Sequence, residues 1–403
     1  MVLNLPTADV KNLQQMLTAG SITSAGLVDA CLAQIRKHDG YLHAMIQTSP
    51  LDILREVTGA LDEERAAGKV HGPLHGIPVL DNIATHPNTG LRTTAGSLSL
   101  WSSKPKENAK LVDLLIASGA IILGRANLSE FSNSRGSMMP SGWSAIGGQV
   151  QSAYVRGGLD PDDSKDGHSN PSGSSSGSAV GVSAGYAPIS VGTETDGSLL
   201  CPAGRAAPYA IKPTIGLIPP ARSPSESYTK SLTGSWSGIS VATLNYSKWR
   251  YPDSFIKPAD GAEAQILKET RQAYDLIKTK VDKFVDDVDL VTVDSFELEG
   301  KITLDIITKY DRLFAYMRKV ARDLGVERVF QTHGVNVIIG PADGFISTMA
   351  TSGGYPVAAM PLSYLDFNGR PFGLAALAGK HQEAFLVQLM SAWEATFPAR
   401  KPP

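Results

Sequence analysis

Apolar positions along the first part of the chain recur at intervals of three and four, broken by short β-like runs. Leu27, Val28, Cys31, Leu32 and Ile35 follow Ser24 at helical spacing, so a helix capped by Ser24 is expected there. An earlier helix should start at Thr7 or Asp9 and stop at Gly20. Residues 51–68, with Glu and Arg at intervals, read as an exposed helix. "LHGIPVL", behind Gly72-Pro73, is a short β-like run. "KLVDLLIASGAIILGRANLSEF" predicts a helix, a stop at Gly119 and a buried strand over 120–123, an αβ unit of the kind that builds sheets with parallel strands.

The periodicity then changes. Residues 151–173 are rich in Asp, Gly and Ser and read as loop. A small-residue helix is expected over 177–187, a strand over 188–192, and a turn carrying Ser198. Residues 218–260 show poor periodicity and many Pro and Ser, and read as loop. Helical spacing returns over 261–281 and 303–324. "VNVIIGP" is a buried strand. "GGYPVAAMPLSYLDFNGRPFGLAALAG" reads as two strands joined by a turn at Asn368-Gly369, and 380–396 as a last helix. The expected fold is α/β, a single α/β/α domain over residues 1–403 with a mixed central sheet.

Composition narrows the function classes. The 403 residues are 42% hydrophobic and 19% charged, ordinary for a globular protein with a large core. A net charge of -2 leaves no electrostatic footprint for nucleic acid. No basic run points to a membrane surface and no run of about 18 apolar residues exists. The N-terminal "MVLNLPTADVKNLQQML" has no long apolar region, so a cytoplasmic protein is expected. Cys31 and Cys201 form no disulfide framework and are expected as buried thiols. The histidines suggest no metal site, and His75 reads as a structural histidine near a strand start. The glycine-rich runs lack a phosphate-loop lysine, and no cofactor is expected.

The candidate chemistry sits in two serine-bearing stretches, "NPSGSSSGSAVGVSAG" over 170–185 and "ISVGTETDGSLLCPAG" over 189–204. Serine is a poor nucleophile unless a base lies within hydrogen-bond reach and donors face the developing oxyanion. Glycines let backbone N–H groups approach a substrate closely. Isolated Ser/Gly runs are usually linkers, but here each abuts an apolar element. Gly173-Ser174-Ser175-Ser176-Gly177 also fits G-x-S-x-G, the nucleophile elbow of another hydrolase class. That motif requires a strand immediately before it, and a polar loop stands there instead.

Together these stretches resemble the amidase signature family of serine hydrolases. "GPLHGIPVL", "DNIAT", "AKLVDLLIASGAIILGRANLSEF", "YAIKPTIGL" and "GGYPVAAMPL…GRPFGLAALAG" occur in the family's order over about three quarters of the chain, with a signature core at about 72–217 and a C-terminal portion at about 335–397. The resemblance implies the amidase signature fold, shortened in the middle, and cofactor-free hydrolysis of a small-molecule amide by a Ser–Ser–Lys mechanism. Ser198 would be the nucleophile. Ser174, on a cis peptide bond, would carry the proton, and the backbone around Thr195, Asp196, Gly197 and Ser198 would hold the oxyanion. Ser175 joins Thr195, Asp196 and Gly197 among the implied substrate-binding residues.

One element of the pattern is missing. The family places its lysine just after the strand, as in GIPVxxKDNI. Here Gly76-Ile77-Pro78-Val79-Leu80 runs directly into Asp81-Asn82-Ile83. Lys69 precedes the strand, and Lys212 matches a position that is not the catalytic one. Two readings follow: an amidase-type hydrolase of weak turnover, or an amidase fold kept without its chemistry as a pseudoenzyme or binding protein.

Overall fold

The helical pattern of the N-terminal region is realised in α1 (Val10–Thr18), α2 (Ser24–Leu42) and α3 (Leu51–Ala66). Asp9 caps α1, its carboxylate accepting from the Asn12 N–H at 2.7 Å. The cap of α2 is Thr23, one residue before the expected Ser24, and its hydroxyl accepts from the Gly26 N–H. Ser24 is instead a buried first helical residue whose N–H is bound by the Asp62 carboxylate of α3 at 2.7 Å. The five apolar residues of the α2 pattern are all buried. α3 is largely exposed, but Leu54, Thr58 and Leu61 form a buried stripe.

A computed structural model describes residues 3–83, 89–134, 139–163, 167–217, 228–244, 289–293 and 310–403. The expected helix at 261–281 and the start of the one at 303–324 lie outside these residues. The chain divides into two compact units. The first comprises Met1–Glu194, Asp366–Arg370 and Arg400–Pro403; the second comprises Thr195–Leu365 and Pro371–Ala399.

In the first unit a four-stranded mixed sheet runs in the order β1 (Met45–Thr48), β3 (Ile121–Ala126), β2 (Pro78–Asp81), β6 (Ile189–Ser190). β2 is parallel to both β3 and β6, and β1 is antiparallel to β3. α4 (Lys110–Ala117) feeds β3 as the αβ pattern predicts, and β3 is buried along its length. The β2–β3 register slips after Val79, so Leu80 faces Gly124 and Asp81 faces Arg125. A small antiparallel pair joins β4 (Trp143–Ser144) to β5 (Gly148–Gln149). α5 (Ser176–Ser183) is the small-residue helix.

The second unit carries a six-stranded mixed sheet in the order β7 (Ala210–Lys212), β11 (Val357–Tyr364), β12 (Pro371–Ala378), β10 (Val337–Pro341), β8 (Ser240–Leu244), β9 (Asp289–Val293). β11 and β12 form the expected hairpin. Its turn has Gly369 at φ 75° and the Asn368 side chain accepting from the Arg370 N–H. β12 is buried at all eight positions. Trp236, Trp393 and Phe397 pack on one face of the sheet with Leu374, Leu386 and Leu389; Leu200, Ile338, Ile346, Tyr355 and Leu377 belong to a second cluster. α6 (Leu200–Ala206) belongs to this unit.

The stretch at 240–244, expected as loop, is strand β8, parallel to β10 and β9. Its five residues are too short to show a period, and the strand is held by pairing on both sides. Cys31 is buried and burial pushes its thiol up to about 12. Cys201 is only half-buried, against the expectation for both cysteines. Among the described residues no helix is long and apolar enough to cross a membrane.

Candidate active site

The first serine stretch is built around a helix buried on almost every side. Seven of the eight residues of α5 are buried. Close neighbours limit the size of several of its side chains. A Cβ at Gly177 would lie 2.5 Å from the Asn127 carbonyl oxygen, and closer still to that of Ala44. The serine hydroxyls settle their hydrogen bonds on nearby backbone. Ser176 donates to the Ser172 carbonyl, Ser178 to that of Val191 and Ser183 to that of Ala179.

Ser175 is a hub. Its hydroxyl accepts from Asn82 Nδ2 at 3.1 Å and from the Thr193 N–H at 3.0 Å, and donates to the Thr193 carbonyl at 3.1 Å. This ties the exit of β2 to the segment after β6. Ser174 differs. It is fully buried, the Gly173–Ser174 peptide bond is cis, and its carbonyl accepts from the Ser129 N–H at 2.9 Å. Its Oγ has no hydrogen-bond partner among the described residues.

A buried ion pair occupies the end of β2. Asp81 Oδ1 and Arg125 Nη1 are 2.5 Å apart, with side-chain exposures of 0% and 3%. Arg125 also donates to the carbonyls of Arg92 (3.0 Å) and Ile83. Burial pushes the guanidinium below its ordinary range, and the charge of Asp81 opposes that shift. The pair sits at the strand exit, immediately before Asn82.

Thr195, Asp196, Gly197 and Ser198 open the second unit, so the implied site residues fall in two units: Ser174 and Ser175 in one, these four in the other. Thr195 and Asp196 are exposed, Ser198 is half-buried, and Gly197 is buried. Gly197 has φ 76°, and a Cβ there would stand 2.8 Å from Cys201 Sγ, so the turn into α6 requires glycine. The Cys201 N–H donates to the Gly197 carbonyl at 2.8 Å. The helix Ile346–Gly353 holds the other side: Thr348 donates to the Asp196 carboxylate at 3.0 Å and Thr351 to the Thr195 carbonyl at 2.6 Å.

Sequence reasoning passed over residues that brace the first stretch, where the Gly177 N–H donates to the Asn127 carbonyl and the Ser129 N–H to that of Ser174. Asn127 and Ser129 follow β3. Asn127 donates to the carbonyls of His43 and Gly148 and accepts from Ser144 and from the Leu128 N–H. The Ser129 hydroxyl accepts from the Gly142 N–H at 2.7 Å. The only signal was polar residues at the end of a buried strand.

A mixed α/β frame with a buried Ser-Gly helix and a glycine turn before a second serine is the frame of amidase signature enzymes. Residues 26–235 match the Amidase family, and the chain belongs to it. A probable amidase of Arabidopsis thaliana is 40% identical over 217 residues, 53% of this chain and 40% of the relative. A glutamyl-tRNA(Gln) amidotransferase component of Chloroflexus aurantiacus is 35% identical over 207 residues, 51% of this chain and 38% of the relative. The chain thus spans two fifths or less of the length of these curated relatives. The structure of native peptide amidase from Stenotrophomonas maltophilia is 26% identical, with a TM-score of 0.79 and 99% of each chain covered.

Proposed function

We propose that this chain is a serine hydrolase of carboxamide C–N bonds with weak turnover, Ser198 being the nucleophile and Ser174 the proton carrier. The observation that carries the reading is the Ser174 hydroxyl, buried and without a hydrogen-bond partner among the described residues. A buried polar group left unpaired costs about 1–3 kcal/mol, so it calls for an explanation beyond packing. Ser176, Ser178 and Ser183 of α5 have settled on backbone carbonyls; Ser174 is reserved for a proton.

In this reading the Ser198 oxygen attacks the carbonyl carbon and its proton passes to Ser174. The C–N bond breaks, and the amine leaves carrying a proton. Water then cleaves the acyl-serine ester, giving the carboxylic acid and free Ser198. N–H groups of Thr195 to Ser198 stabilise the oxyanion. The relay is slow because Ser174 needs an acceptor in turn, and the junction Leu80-Asp81 has no lysine. General-base catalysis contributes about 10²–10⁴-fold. Esters, with better leaving groups, should be hydrolysed faster than amides. The family relationship and the likeness to peptide amidase favour a small carboxamide as the substrate.

The second reading, an amidase fold without turnover, is favoured by the same missing lysine. A serine-directed fluorophosphonate separates the two. Labelling that disappears in Ser198→Ala supports the hydrolase; no labelling of folded protein supports the alternative. Inserting Leu-Lys between Leu80 and Asp81 should raise the amidase rate at least about 10²-fold. Turnover of amides by the unaltered chain at about 10 s⁻¹, an ordinary enzymatic rate, would sink the weak-relay reading.

A further inference from the structure

We propose that Glu64, His71 and His75, none of them used by the hydrolase reading, form a binding site for a divalent transition metal of the zinc class in the first unit. One ligand atom from each lies within 4.8 Å of the other two. Glu64 stands in the last turn of α3, His71 in the loop that follows, and His75 just before β2. This proposal departs from the sequence-based expectation of no metal site. The four-residue spacing His71-Gly-Pro-Leu-His75 was present, but it spans a Gly-Pro turn rather than a helix, and the carboxylate comes from seven residues upstream.

The hydrogen-bond geometry of the buried histidine suits ligation. His75 Nε2 is 2.9 Å from the Leu61 carbonyl oxygen. A carbonyl can only accept, so Nε2 carries the hydrogen and Nδ1 carries the lone pair. Metal-binding imidazoles are commonly fixed in this way by a backbone carbonyl. On the Nδ1 side the hydrogen bond is a long one, 3.4 Å from the His71 N–H. The His71 ring stacks on that of His75, with centroids 5.2 Å apart and planes at 17°.

The remaining donors are already paired and can move. His71 Nε2 and Glu64 Oε2 are 2.9 Å apart, with side-chain exposures of 43% and 39%. A divalent cation replaces the proton shared by such a pair. Bonds of about 2.1 Å need donors only some 3.4 Å apart in a tetrahedral site, a closure that half-exposed side chains can make. Two imidazoles, one carboxylate and an open fourth position match zinc's borderline N/O preference. The nearby Arg65 does not compete for the donors: its guanidinium is bound to the His75 carbonyl (2.7 Å) and to Gln14 Oε1 (3.0 Å).

The test uses the full chain without a histidine tag, stripped with a chelator and dialysed. Co²⁺ is titrated by visible absorption, then displaced with Zn²⁺. The expected result is uptake of one equivalent with Kd below about 100 µM, displaced by Zn²⁺ and accompanied by a higher melting temperature. His71→Ala and Glu64→Gln change exposed side chains, should melt normally without metal, and should each lose at least about tenfold in affinity. His38→Ala, outside the cluster, should bind normally. No saturable uptake at one equivalent, or unchanged uptake in either His71→Ala or Glu64→Gln, overturns the site.

Discussion

The two serine stretches look alike in composition and are built in opposite ways. Residues 172–178 belong to a buried, space-limited segment whose hydroxyls are mostly consumed by backbone hydrogen bonds. Residues 195–198 run from exposed Thr195 and Asp196 to buried Gly197 and half-buried Ser198, and are held by a glycine turn and by Thr348 and Thr351. Small polar residues therefore serve two ends. In the first stretch they allow close packing with most hydrogen bonds made; in the second they leave Ser198 half-buried at the start of the second unit. The buried Ser174 hydroxyl, without a partner among the described residues, stands outside that account.

Four substitutions test this contrast. The largest effect should come from the Asp81–Arg125 pair at the end of β2, next to Asn82, whose side chain binds Ser175 of the buried stretch. Asp81→Asn leaves a buried guanidinium without its counter-charge and should cost about 3–5 kcal/mol in urea unfolding. Replacing both residues by apolar ones should cost much less than that single change. If Asp81→Asn lowers stability by under about 1 kcal/mol, the strand exit is not held by this pair.

Ser175→Ala should come next, at about 1–3 kcal/mol, because it strips partners from both polar groups of Thr193 and from Asn82. A neutral result would show that the buried serines are not structural. Gly197→Ala places a Cβ in left-handed backbone and against Cys201 Sγ, for a loss of about 1–2 kcal/mol. Adding Cys201→Ala should recover the steric part and leave the backbone part. Differential scanning calorimetry of the single and double variants reads both.

Ser198→Ala should move stability by less than about 0.5 kcal/mol, as expected of a half-exposed side chain outside the packed core. It should nevertheless remove all fluorophosphonate labelling. Equal thermal losses for Ser198→Ala and Ser175→Ala would erase the distinction between the two stretches.

Much was legible in the sequence because period and composition carry it. The stripe of α2, the Gly119 stop before β3, the β11–β12 hairpin at Asn368-Gly369 and the α/β class all follow from local spacing and turn chemistry. β8 was not legible: five residues, without a clear period, become strand only when β10 and β9 supply hydrogen bonds on both sides. The cap of α2 is Thr23 rather than Ser24, and the Ser24 N–H is taken by the Asp62 carboxylate. That contact spans 38 residues of sequence.

The same division holds at the candidate site. The sequence by itself carried the family, the proposal of Ser174 and Ser198, and the lysine-free junction Leu80-Asp81, because these are matters of residue type and order. Tertiary structure decided which hydroxyls are already satisfied, that Asp81 meets Arg125 through a slip in strand register, and that Glu64 approaches two histidines across a turn. Hydrogen bonds and ion pairs depend on a few tenths of an ångström and on exclusion of water. Neither is set by neighbours along the chain; both arise when distant segments close on one another.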